Sequence, residues 1–350
     1  MAHSPKLISV ATAVPGHVFG QDEVAAAAAA VFSPRISDYR RMSGVFASAG
    51  IRKRHLVQPM SWYLQPQGWP ERAAVYYQGA RTLFVEASRR ALDAAGLCAG
   101  DVDTVVAVSS TGIATPSLEA RAAIELGLRS DVQRVPIFGL GCAGGVSGLS
   151  IAAQLARGRP GSNVLLVAVE LCSMAFQLDD ASKANIVASA LFGDGAAACV
   201  LRCEAGGLAE VEAWGEHIWP DTLDIMGWDV GERGLGVIFQ KAIPPFAQAN
   251  MGQAVAGILR RCGLETGDVD RFICHPGGAK VIAALETALS LNQGSLDLER
   301  EVLADYGNMS APTVLFVLER ALRRELPPRS ALVAMGPGFS ASCAVLKRAA

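Results

Sequence analysis

The sequence of 350 residues is poor in charged and aromatic side chains, with Asp, Glu, Lys and Arg at 18% and Phe, Trp and Tyr at 6%. The formal net charge is close to zero, at -2 at pH 7. The sequence therefore gives no global electrostatic reason to expect nucleic acid or an anionic membrane as a partner. An anionic ligand would need a local basic patch.

Two kinds of apolar segment are also missing. No apolar run reaches the roughly 20 residues that span a bilayer, and residues 1–20 lack the positively charged start and apolar stretch of a secretory signal. We therefore expect a cytoplasmic protein without membrane insertion. Because 51% of the residues are hydrophobic, the chain can bury one large core or two similar half-cores.

The eight cysteines include no C-x-x-C pair, and most of them lie in apolar segments, as reduced buried thiols do. Cys199 and Cys203 are four residues apart, but no histidine or second cysteine pair lies near them. The pattern thus lacks the four ligands of a structural zinc site. We expect no metal site.

The sequence does contain an internal repeat. The segment G-L-C-A-G-D-V-D at 96–103 recurs 167 residues later as G-L-E-T-G-D-V-D at 263–270. Each copy follows an amphipathic helical pattern and precedes an apolar, strand-like run. The predicted helices cover 83–95 and 248–262, and the predicted strands cover 104–108 and 271–274.

A second pair of segments has nearly the same offset. Cys142 opens a predicted helix that ends near Arg157 and leads to a strand at 164–169, while Asn308, 166 residues later, opens one that ends near Arg324 and leads to a strand at 331–335. The agreement of two offsets indicates a duplication.

The repeat predicts an α/β fold of two duplicated, βα-rich halves, because strands alternate with helices of 10–15 residues. The last strand of the first half is expected at 196–202. We place the N-terminal half at residues 1–204, with Cys142, and the C-terminal half at 205–350, with His275 and Asn308. No low-complexity linker separates the halves, so we expect them to pack tightly.

Cys142 is a candidate nucleophile because it lies between a predicted strand and a helix of small residues. Small neighbours let a substrate reach the sulfur, and a helix N-terminus stabilises a thiolate. A small core residue at a tight turn would give the same local pattern.

His275 and Asn308 are ambiguous when each is considered alone. His275 ends an apolar strand and precedes Pro-Gly-Gly, so its imidazole lies at a strand tip, where pockets form in α/β sheets. Asn308 resembles an ordinary helix N-cap. The duplication favours a joint function, since Cys142 and Asn308 fall at equivalent positions of the two halves.

Four motifs together resemble the type III polyketide synthases, the chalcone synthase-like family, over residues 7–349. They are G-C-A-G-G at 141–145, A-L-F-G-D-G-A-A-A at 190–198, H-P-G-G at 275–278 and Y-G-N-M-S at 306–310. The resemblance implies a thiolase fold with a layered αβαβα arrangement. It also implies a homodimer, with Thr115 close to the partner's pocket, and an acyltransferase that uses CoA thioesters as substrates and needs no cofactor.

The resemblance further implies that Cys142 carries the acyl starter, and that His275 and Asn308 bind the thioester carbonyl of malonyl-CoA. An imidazolium near Cys142 would favour the attacking thiolate. Donors from His275 and Asn308 would then form an oxyanion hole for the enolate. Phe192 matches the family's gatekeeper aromatic residue, which packs beside the cysteine and orients the malonyl unit.

CoA needs a cationic entry, and Arg52, Lys53 and Arg54 lie where the family has a basic segment that contacts CoA. A solvated surface run would look the same. Three departures from the plant pattern argue against a flavonoid cavity: Trp228 replaces a pocket glycine, Val237 replaces a second gatekeeper phenylalanine, and A-M-G-P-G, with Gly336 and Pro337, replaces the G-F-G-P-G loop.

Segments 170–177 and 220–230 resemble bacterial alkylresorcinol and alkylpyrone synthases, which use fatty acyl-CoA starters. Small residues open a tunnel for the acyl chain in such enzymes, and the matching residues here are Thr111, Thr115 and Cys172. We therefore predict a fatty acyl starter, extended by malonyl units and cyclised to an alkylpyrone or alkylresorcinol. A malonyl or aromatic starter is the alternative within the family.

Other condensing enzymes fit less well. A β-ketoacyl-ACP synthase III shares the fold and a Cys/His/Asn triad, but Pro-Gly-Gly follows His275 here, where Gln-Ala-Asn would be expected. A hydroxymethylglutaryl-CoA synthase should supply a catalytic glutamate, for which no motif is found. A non-catalytic thiolase-fold protein is disfavoured because all three triad residues are in place.

Overall fold

The computed structural model describes residues 4–349 as an α/β protein built on a nine-stranded sheet. The elements up to the end of the predicted N-terminal half are β1 (Lys6–Ala13), β2 (His17–Gly20), α1 (Gln21–Phe32), α2 (Tyr39–Met42), α3 (Gly44–Ser48), β3 (Lys53–Leu56), α4 (Met60–Tyr63), α5 (Trp69–Ala95), β4 (Thr104–Val108), α6 (Leu118–Leu126), β5 (Gln133–Ile137), α7 (Gly144–Gly158), β6 (Val164–Leu171), α8 (Lys183–Leu191) and β7 (Asp194–Arg202).

The second half starts with a strand that pairs with β1 of the first half. Its elements are β8 (Ala209–Ile218), β9 (Met226–Gly231), β10 (Gly234–Phe239), α9 (Ile243–Arg261), β11 (Arg271–Cys274), α10 (Ala279–Ala288), α11 (Asp297–Tyr306), α12 (Thr313–Arg323), β12 (Arg329–Gly336) and β13 (Ser340–Arg348).

The sheet has the strand order β11-β12-β13-β8-β1-β7-β6-β4-β5. In the first half β4 is parallel to β6, and β6, β7 and β1 follow as antiparallel neighbours. The second half repeats this pattern, with β11 parallel to β12 and with β12, β13 and β8 antiparallel. The two halves join through a short pairing of β1 with β8. The predicted duplication is confirmed at the level of strand topology.

The sequence repeat has the same local structure in both copies. In each copy of the motif, a single 3-10 turn ends at the first aspartate, Asp101 or Asp268. The carboxylate of this aspartate accepts a hydrogen bond from the backbone N–H three residues earlier, at 2.8 Å in both copies. The last residue of each motif also repeats its contact. Asp103 accepts from the Asn163 N–H at 2.9 Å and Asp270 from the Arg329 N–H at 2.8 Å, so each ties its copy to a neighbouring strand.

The buried side chains form three clusters, which lie between helices and the sheet as the predicted αβαβα arrangement requires. One cluster lies between α1, α5, α6 and the sheet of the first half, and another between α9, α10 and the sheet of the second half. The third contains α7 and α12, which lie between the two halves. The N-terminal ends of α7 and α12 therefore lie in the middle layer, where residues from both halves meet.

The predicted elements match the structure closely, with one large difference in length. The strands at 104–108 and 271–274 have the predicted bounds, whereas the helix predicted from residue 83 begins at Trp69. Pro70 in its first turn explains the early start, because proline is favoured there. No helix among the described residues is long and apolar enough to cross a membrane.

Candidate active site

Cys142 lies in a single 3-10 turn, Gly141–Ala143, that leads directly into α7. The turn between β12 and β13 packs against it. A Cβ atom added to Gly336 would lie 2.6 Å from the carbonyl oxygen of Leu140, and one added to Gly141 would lie 2.7 Å from Pro337. Glycine is required at both positions because the two loops are in contact. The predicted site residues Gly336 and Pro337 thus lie beside Cys142.

His275 follows β11, where its backbone N–H donates to the carbonyl of Val333 at 2.8 Å. Its side chain is 3% exposed, and neither ring nitrogen has a hydrogen-bond partner among residues 4–349. Burial lowers the pKa of His275 to about 3, so the imidazole is neutral near pH 7. A neutral imidazole offers one N–H donor and one acceptor to a ligand.

Asn308 is buried, and its side chain is held at both ends. Its Oδ1 accepts from the backbone N–H of Ser310 at 2.8 Å, and its Nδ2 donates to the carbonyl of Gly277 at 3.3 Å. The N-cap of α12 is Pro312, so Asn308 is not the cap of this helix. The contact with Gly277 instead places its amide beside the segment that carries His275.

Backbone contacts bring these segments together. Asn308 forms a β-bridge with Phe192, and a Cβ atom added to Gly145 in α7 would lie 2.2 Å from the carbonyl oxygen of Ala311. The Cys142 thiol interacts with the side chains of Ser310 and Asn308. Residues from both halves therefore meet at one buried site, as the pseudo-equivalence of Cys142 and Asn308 predicts.

The expected low pKa of Cys142 is not found in the substrate-free site. The pKa of this thiol is raised to about 11, mainly by burial and in part by the charge of Glu170, against the lowering effect of Ser310 and Asn308. Because His275 is neutral, no imidazolium offsets the loss of hydration. Burial thus disfavours both the thiolate and the imidazolium in the substrate-free site, and the predicted help of an imidazolium in the attack on the starter stays a prediction. A neutral imidazole is also the form that can accept a proton.

Glu170 is a buried site residue that the sequence pattern did not single out. Its carboxylate accepts from the backbone N–H groups of Ser110 and Thr111 at 2.9 Å and from the Thr111 hydroxyl at 2.7 Å. Burial raises its pKa to about 7. Its position at the end of an apolar strand is the signal that could have found it.

Phe192 belongs to an aromatic group at the site. Its ring lies 6.5 Å from that of Trp228 and 6.4 Å from that of Phe239, both edge to face. The Trp228 indole donates to the Ser110 carbonyl at 2.7 Å. Val237 lies opposite Trp228 across the β9–β10 hairpin. Phe239, which the sequence analysis missed, lies two residues along the same strand and therefore faces the same side as Val237.

The three predicted tunnel residues lie in different places. Cys172 lines an apolar cavity with an empty volume of about 600 Å³, which includes its open mouth. Thr111 lines a second cavity of about 370 Å³, beside Tyr76 and Leu235. Thr115 is exposed. The structure does not join these residues in one cavity.

The comparisons with known proteins decide the family. The model of the N-terminal domain of chalcone and stilbene synthases matches residues 4–205, and that of the C-terminal domain matches residues 210–347. The chain belongs to the chalcone and stilbene synthase family.

Several relatives in this family are type III polyketide synthases. A 1,3,6,8-tetrahydroxynaphthalene synthase of Streptomyces peucetius is 41% identical over 97% of this chain and 92% of its own length. A putative chalcone synthase of Bacillus subtilis is 33% identical over 95% of this chain and 96% of its own. The crystal structure of the tetrahydroxynaphthalene synthase of Streptomyces coelicolor covers 99% of both chains with a TM-score of 0.93 and 30% identity.

The predicted family, thiolase fold and enzyme class are thus confirmed: this is a type III polyketide synthase and an acyltransferase. These matches favour this family over the β-ketoacyl-ACP synthase III alternative. The division at residue 204 stays a prediction.

The basic segment predicted to contact CoA in this chalcone synthase-like enzyme needs a correction. Arg54 is 1% exposed, and its guanidinium donates to the carbonyls of Ser189 at 2.7 Å and Ala190 at 2.7 Å, and to Gln21. It is a buried structural residue and cannot reach CoA, because β3 alternates and turns this side chain inward. Arg52 is exposed and pairs with Asp305 at 2.7 Å, and Lys53 is exposed.

Four other cations lie close together on the surface. The pKa of Lys183 is lowered, first by contact with the Lys241 ammonium and further by desolvation and by the charges of Arg41 and Lys280. We call Arg41, Lys183, Lys241 and Lys280 the basic cluster. Its members come from four separate segments, so no run of basic residues marks it in the sequence. Lys280 lies in the first turn of α10, five residues after His275.

No group of three histidine, cysteine, aspartate or glutamate side chains that could hold a metal ion occurs within residues 4–349.

Proposed function

We propose that Cys142 carries the growing acyl chain, and that His275 and Asn308 bind the thioester oxygen of malonyl-CoA. The observation that carries this proposal is the buried imidazole of His275, which has no hydrogen-bond partner among residues 4–349 and lies two residues before the Gly277 carbonyl that accepts from the Asn308 amide. A buried polar group without a partner is costly unless a ligand completes it.

The proposed reaction needs no metal or redox cofactor. Decarboxylation breaks the bond between the malonyl α-carbon and its carboxylate, and the electron pair remains as an enolate. The enolate carbon attacks the carbonyl carbon of the Cys142 thioester, and the bond from that carbon to sulfur breaks. Hydrogen bonds from His275 and Asn308 to the enolate oxygen stabilise the charge where it develops. Each such donor contributes about 3 kcal/mol in a water-excluded site.

The basic cluster is a candidate for the cationic surface that a CoA thioester requires. Its four side chains are exposed, as a site for mobile phosphates must be, and Lys280 follows His275 closely in the chain. Lysine binds phosphate as a point charge. We propose that the CoA phosphates bind at the basic cluster, with the pantetheine arm directed toward Cys142.

Replacing Lys241 by alanine should raise the KM for malonyl-CoA about fivefold and leave kcat nearly unchanged, because an exposed ion pair contributes modestly and equally to ground and transition states. The effect should shrink at high ionic strength. Steady-state kinetics at two salt concentrations measures it. Lys53→Ala is the matched control, since Lys53 is exposed outside the cluster. A larger KM effect in the control would return the CoA site to the basic segment at 52–54.

For the starter we propose a fatty acyl-CoA, with cyclisation of the product to an alkylpyrone or alkylresorcinol. The apolar cavity beside Cys172 and Phe192 supports this proposal, since burial of an alkyl chain contributes about 0.8 kcal/mol per methylene. The second candidate is a malonyl starter. It is favoured by the 41% identity to an enzyme named for 1,3,6,8-tetrahydroxynaphthalene.

Product analysis separates the two candidates. The enzyme is incubated with malonyl-CoA and each of a series of acyl-CoA starters from hexanoyl to palmitoyl, with malonyl-CoA alone as the reference, and products are identified by mass spectrometry. We expect alkyl-bearing products, formed faster with octanoyl and longer starters than with malonyl-CoA alone. Products built from malonyl units alone, at an undiminished rate in every reaction, would favour the second candidate.

A homodimer and a cytoplasmic location complete the proposal. Within residues 4–349, β5 is an edge strand that pairs only with β4, and the nearby Ile113, Ile124 and Phe138 are exposed. Such an edge is a template for pairing with a second copy. Thr115, exposed in the same region, would then lie close to the partner's pocket. Sedimentation equilibrium tests the dimer, and a stable active monomer would refute it.

A further inference from the structure

The larger of the two cavities, the one lined by Cys172, is also lined by a helix that the resemblance to fatty acyl-utilising enzymes did not indicate. Helix α1 contributes Val24, Ala27, Ala28 and Val31 to its lining. This spacing of three, four and seven residues defines one face of a helix. The alanines come from the run of six alanines at 25–30, so this face of α1 leaves room where larger side chains would fill it. We call this cavity the α1 chamber.

The opposite walls come from α4 and α8, through Met60 and Ala188. The polar groups of the lining are largely engaged elsewhere. The Tyr63 hydroxyl lies 2.8 Å from the Ser173 hydroxyl, Ser173 in turn donates to Asp194 at 2.6 Å, and Ser189 donates to the carbonyl of Ile186 at 2.8 Å. The chamber thus offers mainly apolar contacts, which suit an alkyl chain better than an oxygen-rich polyketide.

The inner end of the chamber lies next to the reacting atoms. Cys172 and Phe192 both line it, Cys142 is close enough to Cys172 to raise the pKa of that thiol, and the backbone of Phe192 is bridged to that of Asn308. An acyl group on the Cys142 sulfur can therefore extend past Cys172 into the chamber. Thr111 lies in the other cavity, so this route differs from one through the 111–115 segment.

We propose that the α1 chamber holds the alkyl chain of the starter and that the alanines of α1 set the longest chain accepted. The inference rests on the fatty acyl starter proposed above. Each methylene that enters the chamber should improve kcat/KM about fourfold until the chain meets the end of the chamber. Side chains that project from α1 into the chamber should therefore shorten the preferred starter.

The test compares substitutions on two faces of the same helix. Ala28 is 7% exposed and faces the chamber, Ala27 is half-buried and faces it too, while Ala30 is exposed on the far side. Ala28→Phe is the strongest block, and Ala27→Leu is the milder variant that keeps the test valid if Ala28→Phe does not fold. Ala30→Leu is the matched control. For each variant, kcat/KM is measured with acyl-CoA starters from hexanoyl to palmitoyl, together with malonyl-CoA decarboxylation.

We expect Ala27→Leu and Ala28→Phe to lower the ratio of kcat/KM for palmitoyl-CoA to that for hexanoyl-CoA at least about tenfold, which corresponds to the loss of two methylene contacts. The Ala30→Leu control should keep the wild-type ratio and the wild-type rate of decarboxylation. If wild type prefers long chains and a folded Ala27→Leu variant retains the same ratio, the chamber is not the chain site, although the starter proposal stands. If wild type shows no preference for fatty acyl starters, the starter proposal itself fails and the inference with it.

Discussion

A Cys142→Ala enzyme is expected to form no covalent adduct with an acyl-CoA, whereas wild type gains the mass of one acyl group. The sulfur of Cys142 is the proposed nucleophile, and its turn lies between the Gly336–Pro337 turn and the loop of Asn308. Alanine removes it and fills the same turn without strain. Intact-protein mass spectrometry after incubation with octanoyl-CoA measures the adduct.

Cys172→Ala is the matched control for this experiment. Cys172 is a buried thiol near Cys142, but burial and the negative charges around it raise its pKa well above the usual value. We therefore expect it to react more slowly than Cys142, where burial also raises the pKa but the side chains of Ser310 and Asn308 lower it in part. The control should load normally, and peptide mapping of wild type should place the adduct on Cys142. An adduct that survives Cys142→Ala, or one that disappears in Cys172→Ala, would assign the acyl group to a different residue.

Asn308→Ala should slow malonyl-CoA decarboxylation by about 10²–10³, the usual effect of losing one oxyanion donor. Loading of Cys142 should fall much less, since the amide serves the enolate. The substitution keeps the backbone bonds of Asn308 with Leu191 at 2.8 Å and Gly193 at 3.0 Å, so the local fold should persist. Carbon dioxide release and adduct formation are measured separately.

For Asn308→Ala, the difference between the loss in loading of Cys142 and the loss in malonyl-CoA decarboxylation decides the role of the side chain. An unchanged melting temperature shows that the variant is folded. Equal losses in loading and decarboxylation, in a folded variant, would mean that Asn308 positions the Cys142 elbow and does not stabilise the enolate.

Much of the fold could be predicted from the sequence because the duplication leaves a local signal in each half. The repeated G-L-x-x-G-D-V-D motif forms the same turn twice, with Asp101 and Asp268 in the same role. Apolar runs between glycines and charged residues defined the strands. The three proposed triad residues were singled out because Cys142, His275 and Asn308 all lie at ends of predicted strands or helices, while their roles came from the family resemblance and stay a prediction.

The rest of the site depends on contacts between distant segments. Arg54 looks like its neighbours Arg52 and Lys53 in the sequence, but the alternation of β3 buries it against carbonyls more than 130 residues away. The basic cluster is assembled from segments at 41, 183, 241 and 280. The pKa values of Cys142 and His275 depend on burial, which a motif does not report.

The starter site shows the same limit. Small residues at 111, 115 and 172 predict open space, but whether the spaces connect depends on the side chains between them. The Tyr76 ring packs against Gly112, with ring atoms 2.4 Å from the position that a Cβ atom on Gly112 would take. This contact fills the space beside the backbone near Thr111. The six-alanine run in α1 could have indicated a chamber, although alanine is also the commonest choice for an ordinary helix.

The central claim, that this site decarboxylates malonyl-CoA and condenses the enolate onto Cys142, is tested most directly by a single-turnover reaction. Enzyme loaded with an octanoyl group is mixed with malonyl-CoA in the absence of any carrier protein. We predict release of one carbon dioxide for each octanoyl group lost from Cys142, with appearance of the two-carbon-longer β-ketoacyl-CoA. Loss of the octanoyl group without matching carbon dioxide, or a requirement for a carrier protein, would contradict the account.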